Sequence, residues 1–177
     1  MFDARSLEKI AEVKTSGKVA PQTMCLKSPG ILLVGLQNGN LEQFKFSLEF
    51  GMMEGIFPEA NAVMGPATGV IYSMIVSKER HEIALATFSG LVFGRIDGNS
   101  DGSGQRWVTS KVYFKDKVIS QLCQFNPGQF LVAEFSQPGY YVIDRHEIGA
   151  TQPLKIQDTR VDHNSGCTDL QLIPMFD

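Results

Sequence analysis

The chain has 177 residues, 43% hydrophobic and 20% charged, which is enough apolar surface for a packed core and excludes an intrinsically disordered polypeptide. Lys and Arg together number 16 against 19 Asp and Glu, for a formal charge of −3, and no basic run gathers positive charge, so nucleic acid and anionic membranes are poor partners. The longest apolar stretches, Ile31 to Leu36 and Phe130 to Ala133, fall far short of the roughly 20 residues that span a bilayer as a helix.

Met1-Phe2-Asp3-Ala4-Arg5 has neither the basic start nor the apolar stretch of a secretory signal. Leu7 to Val13 reads as a polar outer strand, with a helix as the rival because Glu, Lys, Ala and Leu favour one. Met24-Cys25-Leu26 is then a short apolar strand, Lys27-Ser28-Pro29-Gly30 a turn, and Ile31 to Leu36 a nearly continuous apolar strand of the kind covered on both faces. Asn38-Gly39-Asn40 supplies the residues of a tight hairpin, Leu41 to Phe46 returns alongside, and Met52 to Phe57 adds an outer strand.

The same grammar recurs twice. Met74-Ile75-Val76, the turn Lys78-Glu79-Arg80-His81, Ile83 to Phe88, Ser89-Gly90, Leu91 to Ile96 and Trp107 to Phe114 form the second unit. Leu122-Cys123-Gln124, Asn126-Pro127-Gly128-Gln129, Phe130 to Phe135, Gln137-Pro138-Gly139, Tyr140 to Ile143 and Pro153 to Ile156 form the third. Leu170 to Asp177 matches the first strand of another unit. A period of about 50 residues lies in the range that builds propellers and solenoids.

An apolar residue followed by a polar one closes each third strand: Phe46-Ser47, Ile96-Asp97 and Ile143-Asp144, with Phe2-Asp3 ahead of them. Aligned in this way, the chain resembles WD40 repeats, whose Trp-Asp dipeptide occupies that place, and is similar to citron-homology and other kinase-associated or trafficking propellers. It departs from the WD40 pattern in having no signature Trp and no Gly-His pair; the only tryptophan, Trp107, lies in a predicted fourth strand. The resemblance implies an all-β chain of four-stranded antiparallel propeller blades, with full blades at about 20–61, 69–115 and 117–158 and partial blades at 1–15 and 166–177. Three blades and a fraction do not close a ring unaided, so the expectation is an incomplete propeller, a part of a larger one.

Chemistry is sparse. Cys25, Cys123 and Cys167 are odd in number without CxxC spacing, which fits reduced thiols in the cytoplasm or nucleus. His81, His146 and His163 fall in or near turns and make no zinc pattern. Neither a GxSxG elbow nor a phosphate-binding loop is present. Asp97, Asn99 and Asp101 resemble the opening of a calcium loop, but Val108 stands where the bidentate acid belongs and Gln105 is neutral, so Asp97 to Gly104 reads as a solvated connection.

The expected function is therefore a non-catalytic scaffold whose loops hold a protein or peptide partner, without cofactor or metal, alongside the remaining blades of a larger propeller. Tyr72, Arg95, Tyr140 and Arg145 are candidate anchors near loop ends, each with an ordinary structural role as the alternative. The other reading is an enzymatic propeller, hydrolase or lactonase-like, with a metal in its channel. That needs acids at the starts of innermost strands, where this chain offers Asp169 and the neutral Ser73 and Gln121.

Overall fold

The computed structural model describes residues 14–15, 18–49, 52–58, 69–77, 81–98, 105–137, 140–146 and 154–156. These contain twelve strands and no α-helix. The first sheet comprises β1 (Pro21–Ser28), β2 (Ile31–Leu36), β3 (Leu41–Glu49) and β4 (Met52–Pro58). In the second are β5 (Ile71–Ser77), β6 (Glu82–Thr87), β7 (Gly90–Gly98) and β8 (Gln105–Tyr113). The third holds β9 (Ile119–Asn126), β10 (Gln129–Glu134), β11 (Tyr140–Asp144) and β12 (Leu154–Ile156). Each sheet is an antiparallel meander in which sequence neighbours pair in order. The all-β expectation and the four-strand unit are thus both present.

The sheets share backbone detail that no hydrophobic pattern announces. One residue is extra in the first strand of each: Gln22 between Pro21 and Thr23, Tyr72 between Ile71 and Ser73, and Ser120 between Ile119 and Gln121, each pair of flanking residues facing consecutive residues of the next strand. Such a bulge bends the strand and increases its twist. The turn between first and second strands also repeats. Gly30 and Gly128 take positive φ of 79° and 71°, and their carbonyls accept the N–H of Phe46 and Arg145 at 2.9 and 2.8 Å. In the second sheet His81 occupies that place at φ 50°, a conformation that costs a side-chain-bearing residue more than glycine.

Packing follows from alternation. Residues on one face of a strand meet one neighbour and those on the other face meet another. Leu33 and Leu41 of the first sheet join Met74, Ile83, Leu85 and Val92 of the second in one core, with Cys25 and Trp107 at its margin. Ala84, Leu91 and Phe93 of the second join Leu122, Phe130, Val132 and Ile143 of the third in another. Phe93 meets the rings of Phe130 and Tyr113 edge-on at 5.2 and 5.8 Å, a favourable arrangement of aromatic quadrupoles. The first strands lie side by side, β1 on β5 and β5 on β9. The second sheet is therefore the middle layer, covered on both faces.

An ion pair fastens the second junction. Arg145 after β11 reaches Glu82 on β6 at 2.7 Å, with side chains only 14% and 12% exposed, and its guanidinium stands 4.7 Å over the Phe93 ring. Ser110 donates to the same carboxylate. At the first junction Gln43, almost fully buried, accepts from Lys27 Nζ at 2.7 Å and donates to Gln105 of the neighbouring sheet.

Register corrects the sequence alignment at one point. Leu32 faces Phe44, Ile83 faces Gly94 and Phe130 faces Ile143, so Ile143 corresponds to Phe44 and Gly94. The alignment of the repeats makes it equivalent to Phe46 and Ile96, two residues along. A slip of two leaves every side chain on the same face, so alternation cannot detect it. The apolar-Asp dipeptides Ile96-Asp97 and Ile143-Asp144 consequently do not occupy equivalent places. Asp144 instead holds its own turn, accepting from Gln129 at 2.6 Å and from the His146 N–H at 2.7 Å.

The partial blades at 1–15 and 166–177 lie outside the described residues except for Lys14 and Thr15, as do Cys167, His163, Asp169 and 99–104 of the candidate calcium loop. Among the described residues no helix is long and apolar enough to cross a membrane.

Candidate functional site

Two ends of the sheets present side chains to solvent. The first is the end where the second strand turns into the third. There Gln37, Phe88 and Phe135 donate their N–H groups to the carbonyls of Ala20, Val70 and Val118, the residues that enter the three first strands, at 3.0, 3.0 and 2.9 Å. One backbone bond thus ties each turn to the base of its own sheet. Thr87, fully buried, reinforces the middle turn by donating to the Gly90 carbonyl at 2.8 Å and accepting from the Ser89 N–H at 3.2 Å.

The consequence falls on the side chains. Phe88 and Phe135 are 55% and 57% exposed although both directly follow a buried strand. Their placement at one turn position, on adjacent sheets and at the same end, makes two aromatic groups held by rigid backbone. Beside them Lys117, nearly half exposed, bonds the buried carboxylate of Glu134 at 3.0 Å, and Tyr141 donates to that carboxylate at 3.2 Å. The hydrogen bond to Glu134 holds the Lys117 ammonium above its ordinary pKa, while burial first and then the Glu134 charge raise that of Tyr141.

The opposite end holds a crevice of about 520 Å³ between the first and second sheets. Lys27, His81, Arg95 and Asp97 rim it, over an apolar floor that includes Val76 and Ile83. Its charges are already engaged. Lys27 bonds Gln43, and Arg95 bonds Asp97 at 2.8 Å, a contact that raises the arginine pKa further. Polar groups satisfied by one another attract a ligand less than free ones.

The four sequence candidates scatter. Tyr72 is the bulge residue of β5, half-buried, and Tyr140 opens β11, also half-buried. Arg95 is exposed on the crevice rim. Arg145 is withdrawn into the junction of the second and third sheets, where burial opposes its charge and is outweighed by hydrogen bonds to Glu82 and Tyr113. It fastens sheets together and is no surface anchor. Reading the sequence alone missed Phe88 and Phe135, because an apolar residue ending an apolar strand looks like core. The signal was the Phe-Ser dipeptide repeated before two glycine turns, Phe88-Ser89-Gly90 and Phe135-Ser136 ahead of Gly139.

For other chemistry, Ser73 and Gln121 on the first strands are half-buried. Among the described residues no group of three or more His, Cys, Asp and Glu side chains could hold a metal ion. Cys25 and Cys123 are half-buried, and burial pushes the Cys25 pKa from 9.0 to about 11, away from a reactive thiolate. His146 sits against the Pro127 carbonyl at 2.8 Å.

Compared with known proteins, the chain matches no family model, no curated protein and no solved structure.

Proposed function

We propose that the chain is a non-catalytic protein-interaction scaffold, an arc of WD40-like β-propeller blades that presents its β6–β7 and β10–β11 turns to a protein or peptide partner. Support for the blade reading comes from three meanders with the same bulge, the same turn-to-base hydrogen bond and first strands laid side by side. The apolar-Asp dipeptides no longer contribute to it. The observation that carries the binding reading is the exposure of Phe88 and Phe135 at one repeated turn position. Aromatic residues on a rigid frame lose little entropy on binding and commonly dominate interface energetics. An odd number of cysteines without CxxC spacing supports a reducing compartment, the cytoplasm or nucleus.

Proximity labelling in cells with the wild-type chain and with Phe88→Asp/Phe135→Asp tests this. Because both rings are exposed, the double variant should fold normally, and its partner set should shrink while recaptured partners bind at least about 30-fold more weakly, the loss expected for a hot spot. An unchanged partner set and unchanged affinities would overturn the assignment of this face.

A further inference from the structure

The connection between β8 and β9 joins the two exposed aromatic turns into one surface. The N–H of Asp116 donates at 3.0 Å to the carbonyl of Ser89, directly after Phe88, and the carbonyl of Val118 accepts from Phe135 at 2.9 Å. Lys117, between them, bonds Glu134, the residue before Phe135, at 3.0 Å. Asp116 to Val118 therefore runs from one turn to the other, and three residues cover at most about 11 Å. Stacked sheets lie about 10 Å apart, so the two turns stand at a spacing of that order. The connection is tightly specified: Phe114 and Asp116 take positive φ of 53° and 65°, and Lys117 donates its N–H to the Phe114 carbonyl at 3.0 Å. A bulky side chain rarely adopts that conformation, which persists only where the surroundings fix it.

Along that path the surface is charged, since Lys115, Asp116 and Lys117 are all exposed. A ligand with an apolar group on each ring must place no apolar side chain on the strip between them. An α-helix presents side chains about 5–6 Å apart on one face, so a helix seated on both rings would press another onto the charged residues. In a β-strand one face returns roughly every 7 Å, out of step with the turns. A polyproline II helix has three residues per turn and rises about 3.1 Å with each, so one face recurs about every 9 Å with nothing in between.

We propose that the occupant of Phe88 and Phe135 is a proline-rich segment in the polyproline II conformation, with apolar residues three apart on the two rings. Such a segment is stiff before it binds and loses little entropy on docking to aromatic side chains. Its backbone makes no internal hydrogen bonds. Gln37, exposed at the same turn position of the first sheet, supplies an amide that donates to one of its carbonyls. The inference rests on the binding face proposed above and adds the conformation and chemistry of what that face holds.

Fluorescence anisotropy of the full chain with a fluorescein-labelled peptide of four Leu-Pro-Pro repeats is the test. The expected result is saturable binding, weakened at least about tenfold by Phe88→Asp/Phe135→Asp with unchanged circular dichroism. Replacing the prolines by glycine keeps the leucine spacing and removes the stiffness, and should weaken binding at least about fivefold. Equal affinity for the glycine peptide, binding indifferent to the double substitution, or no binding of the proline peptide overturns the inference. A helical peptide with leucines seven apart that binds instead, and is lost with the double substitution, removes the polyproline ligand and keeps the face. If no peptide binds and proximity labelling is also unmoved by the double substitution, both readings fall.

Discussion

Arg145 shows how a residue's role depends on partners distant in sequence. On paper it is a cation at a strand end; in the fold it is a mostly buried partner of Glu82, 63 positions away. Arg145→Ala strips the countercharge from a carboxylate that is itself 12% exposed, so unfolding in urea should show a loss of about 3 kcal/mol. A loss under about 0.5 kcal/mol, the usual effect of a surface substitution, would contradict the buried pair. Gly94 gives a second residue-scale outcome. A Cβ there would lie 2.4 Å from Trp107 Cζ2 and 2.5 Å from the Val108 carbonyl oxygen. Backbone cannot swing aside as a side chain does, so Gly94→Ala should cost about 1–3 kcal/mol. Cys25 supplies a pH dependence. Its folded pKa is raised, so the protonated thiol contributes stability that is complete below pH 9.0 and is lost as pH rises through about 11. In a Cys123→Ser/Cys167→Ser background at mildly alkaline pH, the folded thiol should react with an aromatic disulfide at least about tenfold slower than in urea. A thiolate fraction about 100-fold smaller is only partly offset by the greater nucleophilicity of a more basic thiolate. Equal rates would show Cys25 to be solvated.

At the scale of elements, nearly every strand could be read from the sequence, and the reason is local. Small and branched runs such as Ile83-Ala84-Leu85-Ala86-Thr87, bounded by polar and glycine turns, have few other stable conformations. The register of the third sheet was not legible. Its third strand ends at Asp144 after 5 residues whereas those of the other sheets run for 9, and aligning on the final apolar residue forced a slip of two. The bulges at Gln22, Tyr72 and Ser120 were also hidden, since an extra residue in one strand shows only against its partner. Phe88 and Phe135 were hidden by the opposite problem: they continue an apolar pattern past the point where the strand has stopped. The middle strands and their contacts dominate the energetics of the element. Phe93 is 1% exposed and packs against Phe130 and Tyr113, so Phe93→Ala should destabilise the second and third sheets by about 3–5 kcal/mol. In hydrogen exchange, amides of β6 and β10 should lose protection together; loss in β6 alone would mean that the sheets are not energetically joined.

For the whole molecule, what matters is how one unit buries itself against the next. Each four-stranded meander has two apolar faces and cannot shield both alone, and the middle sheet is covered on both by its neighbours. That arrangement accounts for a frame of stacked sheets with Phe88 and Phe135 exposed at strand ends. It also accounts for the difficulty of reading function from such a chain, since most of its apolar pattern reports packing. The most direct test is a methyl and aromatic nuclear Overhauser map of the folded chain. Serial stacking predicts cross-peaks within two separate groups, Leu33 and Leu41 with Met74, Leu85 and Val92, and Phe93 and Leu91 with Phe130 and Ile143. Cross-peaks joining Leu33 to Val132 would place the first and third sheets face to face across one core and contradict the serial stack.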